Sequence, residues 1–97
     1  THSSLGNLAM ASEFYKVGIN IFTELYDSYP NNIDFKNGLA ISYIKLADIY
    51  LRNSDIKSIS YLKEAKKHFD ELVIIAPQNA QFKNYKKIVD DVLQQLQ

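Results

Sequence analysis

His68 is the residue of this chain whose side chain is best suited to chemistry, because an imidazole can accept a phosphoryl group. Phosphotransfer would need this histidine on one helix of a four-helix bundle. A simpler interpretation is an exposed helical histidine, with Glu64 one turn before it and Lys67 beside it. Residues 69–72 lack the Lys-Gly pair that follows phosphotransfer histidines. Phosphotransfer through His68 therefore stays an alternative, and we expect the chain not to be an enzyme.

Metal-dependent and phosphate-binding chemistry have less support. His2 lies far along the chain from His68, and the spacing His-x-x-x-His does not occur. Adjacent residues such as Asp90 and Asp91 point about 100° apart on a helix, so they do not converge on one site. The three glycines are too scattered for a phosphate-binding loop, and there is no cysteine. We expect no catalytic residue, no metal and no cofactor.

Charge and hydropathy exclude two classes of partner. Eleven basic and eleven acidic residues cancel, so no global field attracts nucleic acid or an anionic membrane. Asp and Glu dilute the one modest basic run, which consists of Lys63, Lys66, Lys67, Lys83, Lys86 and Lys87. The longest apolar run, residues 72–76, is far too short to span a membrane. We therefore expect no nucleic-acid and no membrane partner, with a cytoplasmic location as the default.

The chain nearly repeats itself with a shift of 47 positions. Residues 21–37 and 68–84 share eight identities in a 17-residue window without a gap. The identical residues are Phe22, Glu24, Leu25, Pro30, Asn32, Phe35, Lys36 and Asn37, which recur as Phe69, Glu71, Leu72, Pro77, Asn79, Phe82, Lys83 and Asn84. A fixed period of this length is typical of repeat proteins, whose units bury their apolar faces by stacking. The repeat favours a binding scaffold over an enzyme.

Helix-breaking and helix-capping residues predict four helices, at roughly 7–28, 33–52, 55–75 and 80–96. Pro30 and Pro77 each follow a helical stretch, and proline disfavours helical geometry in the residue before it. Asn32 and Asn79 then act as N-caps, since the asparagine oxygen accepts from free backbone N–H groups. Two further turns are predicted, at Gly6-Asn7 and at Asn53-Ser54-Asp55. No stretch alternates with period two, so the fold class is all-α.

The helices differ in how much of their surface is apolar. The third has one apolar stripe, formed by Ile56, Ile59, Leu62, Ala65, Phe69, Leu72 and Ala76. The second is apolar nearly all round, with Leu39, Ala40, Tyr43, Leu46, Ala47 and Tyr50 on one set of faces and Ile41, Ile44, Ile49 and Leu51 on others. Such a helix packs on several sides, so we expect it between the first and the third. The last helix keeps Phe82, Tyr85, Val89, Val92 and Leu96 on one side, as a capping helix does.

Paired helices closed by proline, with small and aromatic residues at fixed spacing, resemble the tetratricopeptide repeat family. Its second-helix pattern is met by Gly18, Phe22, Leu25 and Pro30, and again by Ala65, Phe69, Leu72 and Pro77. Its first-helix pattern is met by Leu39, Ala40 and Tyr43. The usual period is 34 residues. The chain therefore looks like a long-helix variant, in which residues 46–50 extend the first helix.

This resemblance implies antiparallel helical hairpins stacked in a right-handed superhelix of about four helices. It divides one domain, 1–97, into the second half of a repeat (1–31), a complete repeat (32–78) and a C-terminal capping helix (79–97). Because the first unit begins in mid-repeat, we expect a longer parent protein. The family implies non-catalytic binding of a protein or peptide, through shape and a few polar contacts. Self-association within a larger assembly is the alternative of the same class.

The resemblance also implies where a partner would bind, because first helices line the concave groove in this family. The corresponding positions are Asn37, Ile41, Ile44, Lys45 and Asp48 on the second helix, with Asn84, Lys83 and Lys87 on the last. Asn37 and Asn84 could hydrogen-bond a peptide backbone with both donor and acceptor, and the lysines could hold a carboxylate. The alternative interpretation is a solvated helix face.

The first helix carries a second apolar set beside its core stripe. Phe14, Val17 and Ile21 would meet a preceding first helix in a full repeat array. An uncovered apolar face of this kind is an association site. We therefore expect the isolated chain to form a homodimer through these three residues.

Overall fold

The chain forms four α-helices in a computed structural model that describes residues 2–53 and 56–96, with side chains from residue 9 onward. They are α1 (His2–Ser28), α2 (Ile33–Arg52), α3 (Lys57–Ile75) and α4 (Ala80–Leu96). The described residues contain no strand, so the predicted all-α class is confirmed. The bounds of α2 and α4 are those predicted from the sequence.

The two proline-containing loops have the same backbone hydrogen bonds. The amide of Tyr29 donates to the carbonyl of Leu25 over 2.8 Å. At the repeat spacing of 47, the amide of Ala76 donates to the carbonyl of Leu72 over 2.8 Å. The sequence repeat is therefore also a repeat of local structure at these loops.

Each loop ends in an asparagine that caps the following helix. Oδ1 of Asn32 accepts a hydrogen bond from the amide of Phe35 at 3.1 Å, and Oδ1 of Asn79 accepts one from the amide of Phe82 at 3.0 Å. These bonds satisfy amides that have no partner within their helix. Both predicted N-caps are confirmed.

The helix α1 continues through a position where the sequence predicted a turn. Its backbone is helical across Gly6 and Asn7, so that predicted turn is wrong. A glycine inside a helix costs only about 1 kcal/mol relative to alanine, and without a proline a helix of 27 residues tolerates it. At the other predicted turn, Asn53 ends α2, while Ser54 and Asp55 lie outside the described residues.

Consecutive helices pack antiparallel, and α2 lies between α1 and α3 as predicted. Near the start of α2, Lys36 contacts Tyr26 of α1 and Glu71 of α3. Near its end, Tyr50 lies under the ammonium of Lys16 of α1 and stacks on Tyr61 of α3. The ion pairs between α3 and α4 show the same reversal of direction. Because each step reverses the chain, α2 and α4 run the same way.

The core lies between α2, α3 and α4. It is built from Ala40, Ala47, Leu62, Ala65, Phe69, Leu72, Phe82, Val89 and Leu93. Phe69 is the largest fully enclosed side chain, and its ring stacks on Tyr85 with centroids 5.3 Å apart. Near the end of α4 the buried residue is Leu93, whereas Leu96 is 37% exposed. The predicted apolar face of α4 is therefore displaced in its last turn.

The close packing of α1 on α2 depends on Gly38. A β-carbon at this position would lie 2.6 Å from the ring of Phe22. A β-carbon at Gly18 would have Oγ of Ser42 as its nearest neighbour, at an ordinary 3.7 Å. The aromatic ring thus occupies the space that a side chain at position 38 would need.

Candidate functional site

The helices α2 and α4 flank a groove with an apolar floor. It is lined by Ile44, Lys45, Ala47, Asp48 and Leu51 of α2, Leu62 of α3, and Ile88, Val89 and Val92 of α4. Its volume is about 160 Å³, and cavities of roughly 150 Å³ are large enough to bind benzene. The groove therefore has room for one large apolar side chain.

Charged side chains stand at the rim of this groove. Lys45 and Asp48 are both exposed. The carboxylate of Asp48 pairs with Nε of Arg52 at 3.2 Å. An exposed pair of this kind adds little stability, but it offsets the negative charge of Asp48. The rim therefore carries a net positive charge, which Lys45 supplies.

The same face of α2 continues from the groove towards the N-terminus of the helix. Ile41 is partly buried and packs against the core. Oδ1 of Asn37 is buried and accepts no hydrogen bond from the described residues. A buried acceptor without a partner is costly, so a donor that reached this atom would be stabilised. Because the oxygen is enclosed, neighbouring side chains must move before a partner can contact it.

The residues predicted for binding on α4 lie in two different places. Asn84 is exposed and precedes Ile88 by one helical turn, on the groove side of α4. Lys83 and Lys87 line a separate shallow surface, which they share with Val73 of α3. The two lysines therefore do not belong to the groove between α2 and α4.

A buried cation that the sequence analysis did not identify joins the first three helices. Lys36 is 2% exposed, and its Nζ donates to Oε2 of Glu71 at 2.8 Å and to Oη of Tyr26 at 3.1 Å. Burial opposes the charge, yet these two partners raise the pKa of Lys36 above its ordinary value. The same hydrogen bond from Lys36 lowers the pKa of Glu71. No local pattern in the sequence marks this cluster, because Lys83 stands at the centre of the same Phe-Lys-Asn triplet and is exposed.

His68 is buried, so the prediction of an exposed histidine is wrong. The packing of α3 turns this position towards α1 and α2, where its ring stacks on Tyr43 at 6.1 Å and meets the edge of Tyr26 at 6.0 Å. Its Nδ1 lies 3.4 Å from Nζ of Lys36 and accepts there, because an ammonium group only donates. Burial and the charge of Lys36 lower the pKa of His68. A neutral, enclosed imidazole is badly placed to receive a phosphoryl group.

A second cluster of ion pairs joins α3 to α4. Nζ of Lys66 lies 2.8 Å from Asp90 and 3.4 Å from Asp70, while Nζ of Lys86 lies 2.7 Å from Asp70 and 3.0 Å from Asp90. The two aspartates raise the pKa of Lys86 to about 12. Burial acts to raise the pKa of Asp90, but the two lysines lower it on balance. The charges compensate one another, so these two lysines do not form a basic patch.

The outer face of α1 is apolar and exposed. Met10 and Phe14 are each 72% exposed, Val17 54% and Ile21 52%. Their steps of four, three and four residues align them in one stripe along the helix, which we call the α1 stripe. The three residues predicted for self-association lie in it. Met10 was missed, although it has the same spacing.

Neither a metal site nor a membrane span is found in the described ranges. Among the side chains that the structure describes, which belong to residues 9–53 and 56–96, no group of three or more His, Asp or Glu could hold a metal ion. Within the same ranges, no helix combines the length and apolar character needed to cross a membrane.

No family model matches this sequence, and neither the curated proteins nor the solved structures give a significant match. The resemblance to tetratricopeptide repeats therefore depends on the residues themselves and on their period of 47 positions.

Proposed function

We propose that this chain is a non-catalytic interaction module of the tetratricopeptide-repeat type, which binds a segment of another protein between α2 and α4. The observation that carries the proposal is the apolar groove of about 160 Å³ between two helices that run the same way. The resemblance implies that first helices bind the partner. Ile44, Lys45 and Asp48 are among the positions that the resemblance implies, and they also line the groove.

The lining of the groove suggests the chemistry of the partner. Leu51 and Ile88 provide aliphatic surface on opposite walls, and burying one leucine or isoleucine side chain contributes about 1.5–3 kcal/mol. The positive rim at Lys45 favours an acidic residue next to that apolar anchor. One anchor and one exposed charge offset little more than the entropy lost on association, so we expect weak, reversible binding.

The two buried titratable side chains support binding over catalysis, because both are engaged in packing the helices. Lys36 is held by Glu71 and Tyr26, and His68 is enclosed by aromatic rings. Such groups stabilise helix packing and are not presented to a substrate. The groove between α2 and α4 combines apolar surface with an exposed charge.

NMR titration with two probe peptides tests the proposal. Both are blocked at their ends and carry one leucine, flanked by glutamates in one peptide and by lysines in the other. We expect the glutamate peptide to shift the amide signals of residues 44–51 and 88–92 at lower concentration. Lys45→Glu should reverse this preference, because it replaces the cation at the rim by an anion. Lys63→Glu makes the same charge change on α3 outside the groove, and should keep the preference of the wild type.

Two results would reject the proposal. One is the lack of any shift at residues 44–51 and 88–92 with either peptide up to its solubility limit. The other is a set of shifts that maps to another face of the domain. An equal loss of preference in Lys45→Glu and Lys63→Glu would show that only net charge matters, and would remove the groove from the explanation.

A further inference from the structure

The repeat relates the α1 stripe to a face of α3 that is covered by α2. Phe14 and Ile21 lie 47 positions before Tyr61 and His68 of α3. Both of these α3 residues stack on Tyr43 of α2. The equivalent positions on α1 carry large apolar side chains but are more than half exposed. The stripe thus has the composition of a packing surface, with no described helix over it.

The outer face of α4 in a second copy is not complementary to the α1 stripe. Tyr43, which covers the equivalent face of α3, corresponds to Asp90 on α4. Ala40, in the core of α2, corresponds to Lys87. Asp90 is already engaged by Lys66 and Lys86. Stacking the apolar stripe on this polar face would desolvate charges, so head-to-tail growth is disfavoured.

We propose that α1 packs antiparallel against α1 of a second copy of this chain, stripe on stripe about a two-fold axis. A two-fold interface brings the same patch together from both subunits, and an apolar stripe is complementary to itself. Steps of four, three and four residues are those of the seam between two paired helices. In this register Met10 lies opposite Ile21 of the second copy, and Phe14 lies opposite Val17 of the second copy.

Charge on the seam selects the antiparallel direction. Continuing the same spacing, the next seam position after Ile21 is Glu24, which is exposed. A parallel pair would place the two Glu24 carboxylates against each other, and like charges in contact are unfavourable. In the antiparallel pair, Glu24 faces the position of Asn7, which carries no charge.

The size of the stripe makes this a weak dimer. Four partly exposed side chains, each offering on the order of 70 Å² of apolar surface, bury roughly 600 Å² between two copies. Stable interfaces usually bury about 1,200 Å² or more, so association depends strongly on concentration. A helix of another protein is the competing occupant, and it would leave the isolated chain monomeric.

Sedimentation velocity over a concentration series tests the association. We expect the mass to rise from monomer to dimer with concentration. Ile21→Asp should move the dissociation constant at least tenfold upwards, because it buries a carboxylate in the seam. Ile74→Asp is the matched control, since Ile74 is 78% exposed on α3, and it should leave the series unchanged. Circular dichroism checks that both variants stay helical.

Disulfide trapping tests the direction, because the chain has no cysteine of its own. In the antiparallel dimer, Met10→Cys mixed with Ile21→Cys should form a disulfide-linked dimer on oxidation with diamide. Each variant alone should form several-fold less, because the two Met10 positions lie at opposite ends of the seam.

Three outcomes would overturn the inference. A monomer at every concentration would reject self-association of the chain. Undiminished association of Ile21→Asp would reject the α1 stripe as the interface. Efficient disulfide formation by each cysteine variant alone, without a gain in the mixture, would reject the antiparallel arrangement.

Discussion

Replacing Gly38 by alanine should destabilise the domain, whereas the same change at Gly18 should stabilise it. Both glycines lie inside helices, where alanine is favoured over glycine by about 0.5–1 kcal/mol. At Gly18 the added methyl group would sit 3.7 Å from Oγ of Ser42, an ordinary contact. At Gly38 it would lie 2.6 Å from the ring of Phe22, and such overpacking costs about 1–3 kcal/mol. The steric cost less the propensity gain leaves Gly38→Ala a net loss of unfolding free energy of roughly 0–2.5 kcal/mol, centred on about 1 kcal/mol.

Urea denaturation of the two variants and the wild type measures these differences. The propensity gain is common to both changes, so the gap between the variants reports the steric cost, about 1–3 kcal/mol. A domain of this size should show the gap as a separation of roughly 5–20 °C in Tm. Phe22→Leu should cost less stability in the Gly38→Ala background than in the wild type, since it removes the ring that the added methyl group meets.

Equal stability of the two alanine variants would refute this reasoning. It would mean that α1 and α2 do not approach as closely as the ring of Phe22 requires. The result also bears on the groove, because the packing of α1 on α2 holds the groove wall that Ile44 and Leu51 provide. A loosened α2 should therefore weaken the peptide binding that we propose for the groove, without any change in the lining residues.

Two further predictions concern pH and capping. The pKa of His68 is lowered in the folded state, so as the pH falls the unfolded chain takes up a proton at this residue before the folded chain does. The contribution of His68 to the free energy of unfolding should therefore be full above a pH of about 6.5 and decrease below it. His68→Gln should remove this slope in urea unfolding at several pH values, and an unchanged slope would contradict it. Asn79→Ala should cost about 1 kcal/mol through loss of the N-cap. The exposed Asn84→Ala should cost almost nothing, and equal losses would contradict the capping role.

Helix positions and loop chemistry could be predicted because they depend on residues close together in the chain. Asn32 and Asn79 each cap a helix by accepting a hydrogen bond from the amide three residues later in the chain. This spacing is visible in the sequence. The turn at Gly6 was predicted wrongly because glycine weakens a helix without ending it. Local signals of this kind were sufficient for the fold class and for the order of the helices.

The candidate site was predicted only in part, because a helix position has no assigned neighbour until the helices pack. Ile44 and Asp48 were placed on the groove face by the resemblance, and both line the groove. Lys83 and Lys87 were assigned to the same site but lie against Val73 on another surface. Their direction depends on the rotation of α4 about its axis. That rotation is set by packing on α3.

Lys36 and Lys83 separate what the sequence determines from what the tertiary structure determines. Each occupies the centre of the same Phe-Lys-Asn triplet at the start of a capped helix, so the sequence by itself determined that both positions would be helical. The structure buries Lys36 between Tyr26 and Glu71 and leaves Lys83 exposed. The physical reason is that α2 is packed between α1 and α3, whereas α4 packs mainly on α3. Periodicity and capping are local properties, but burial and the pKa of a side chain depend on the helices that surround it.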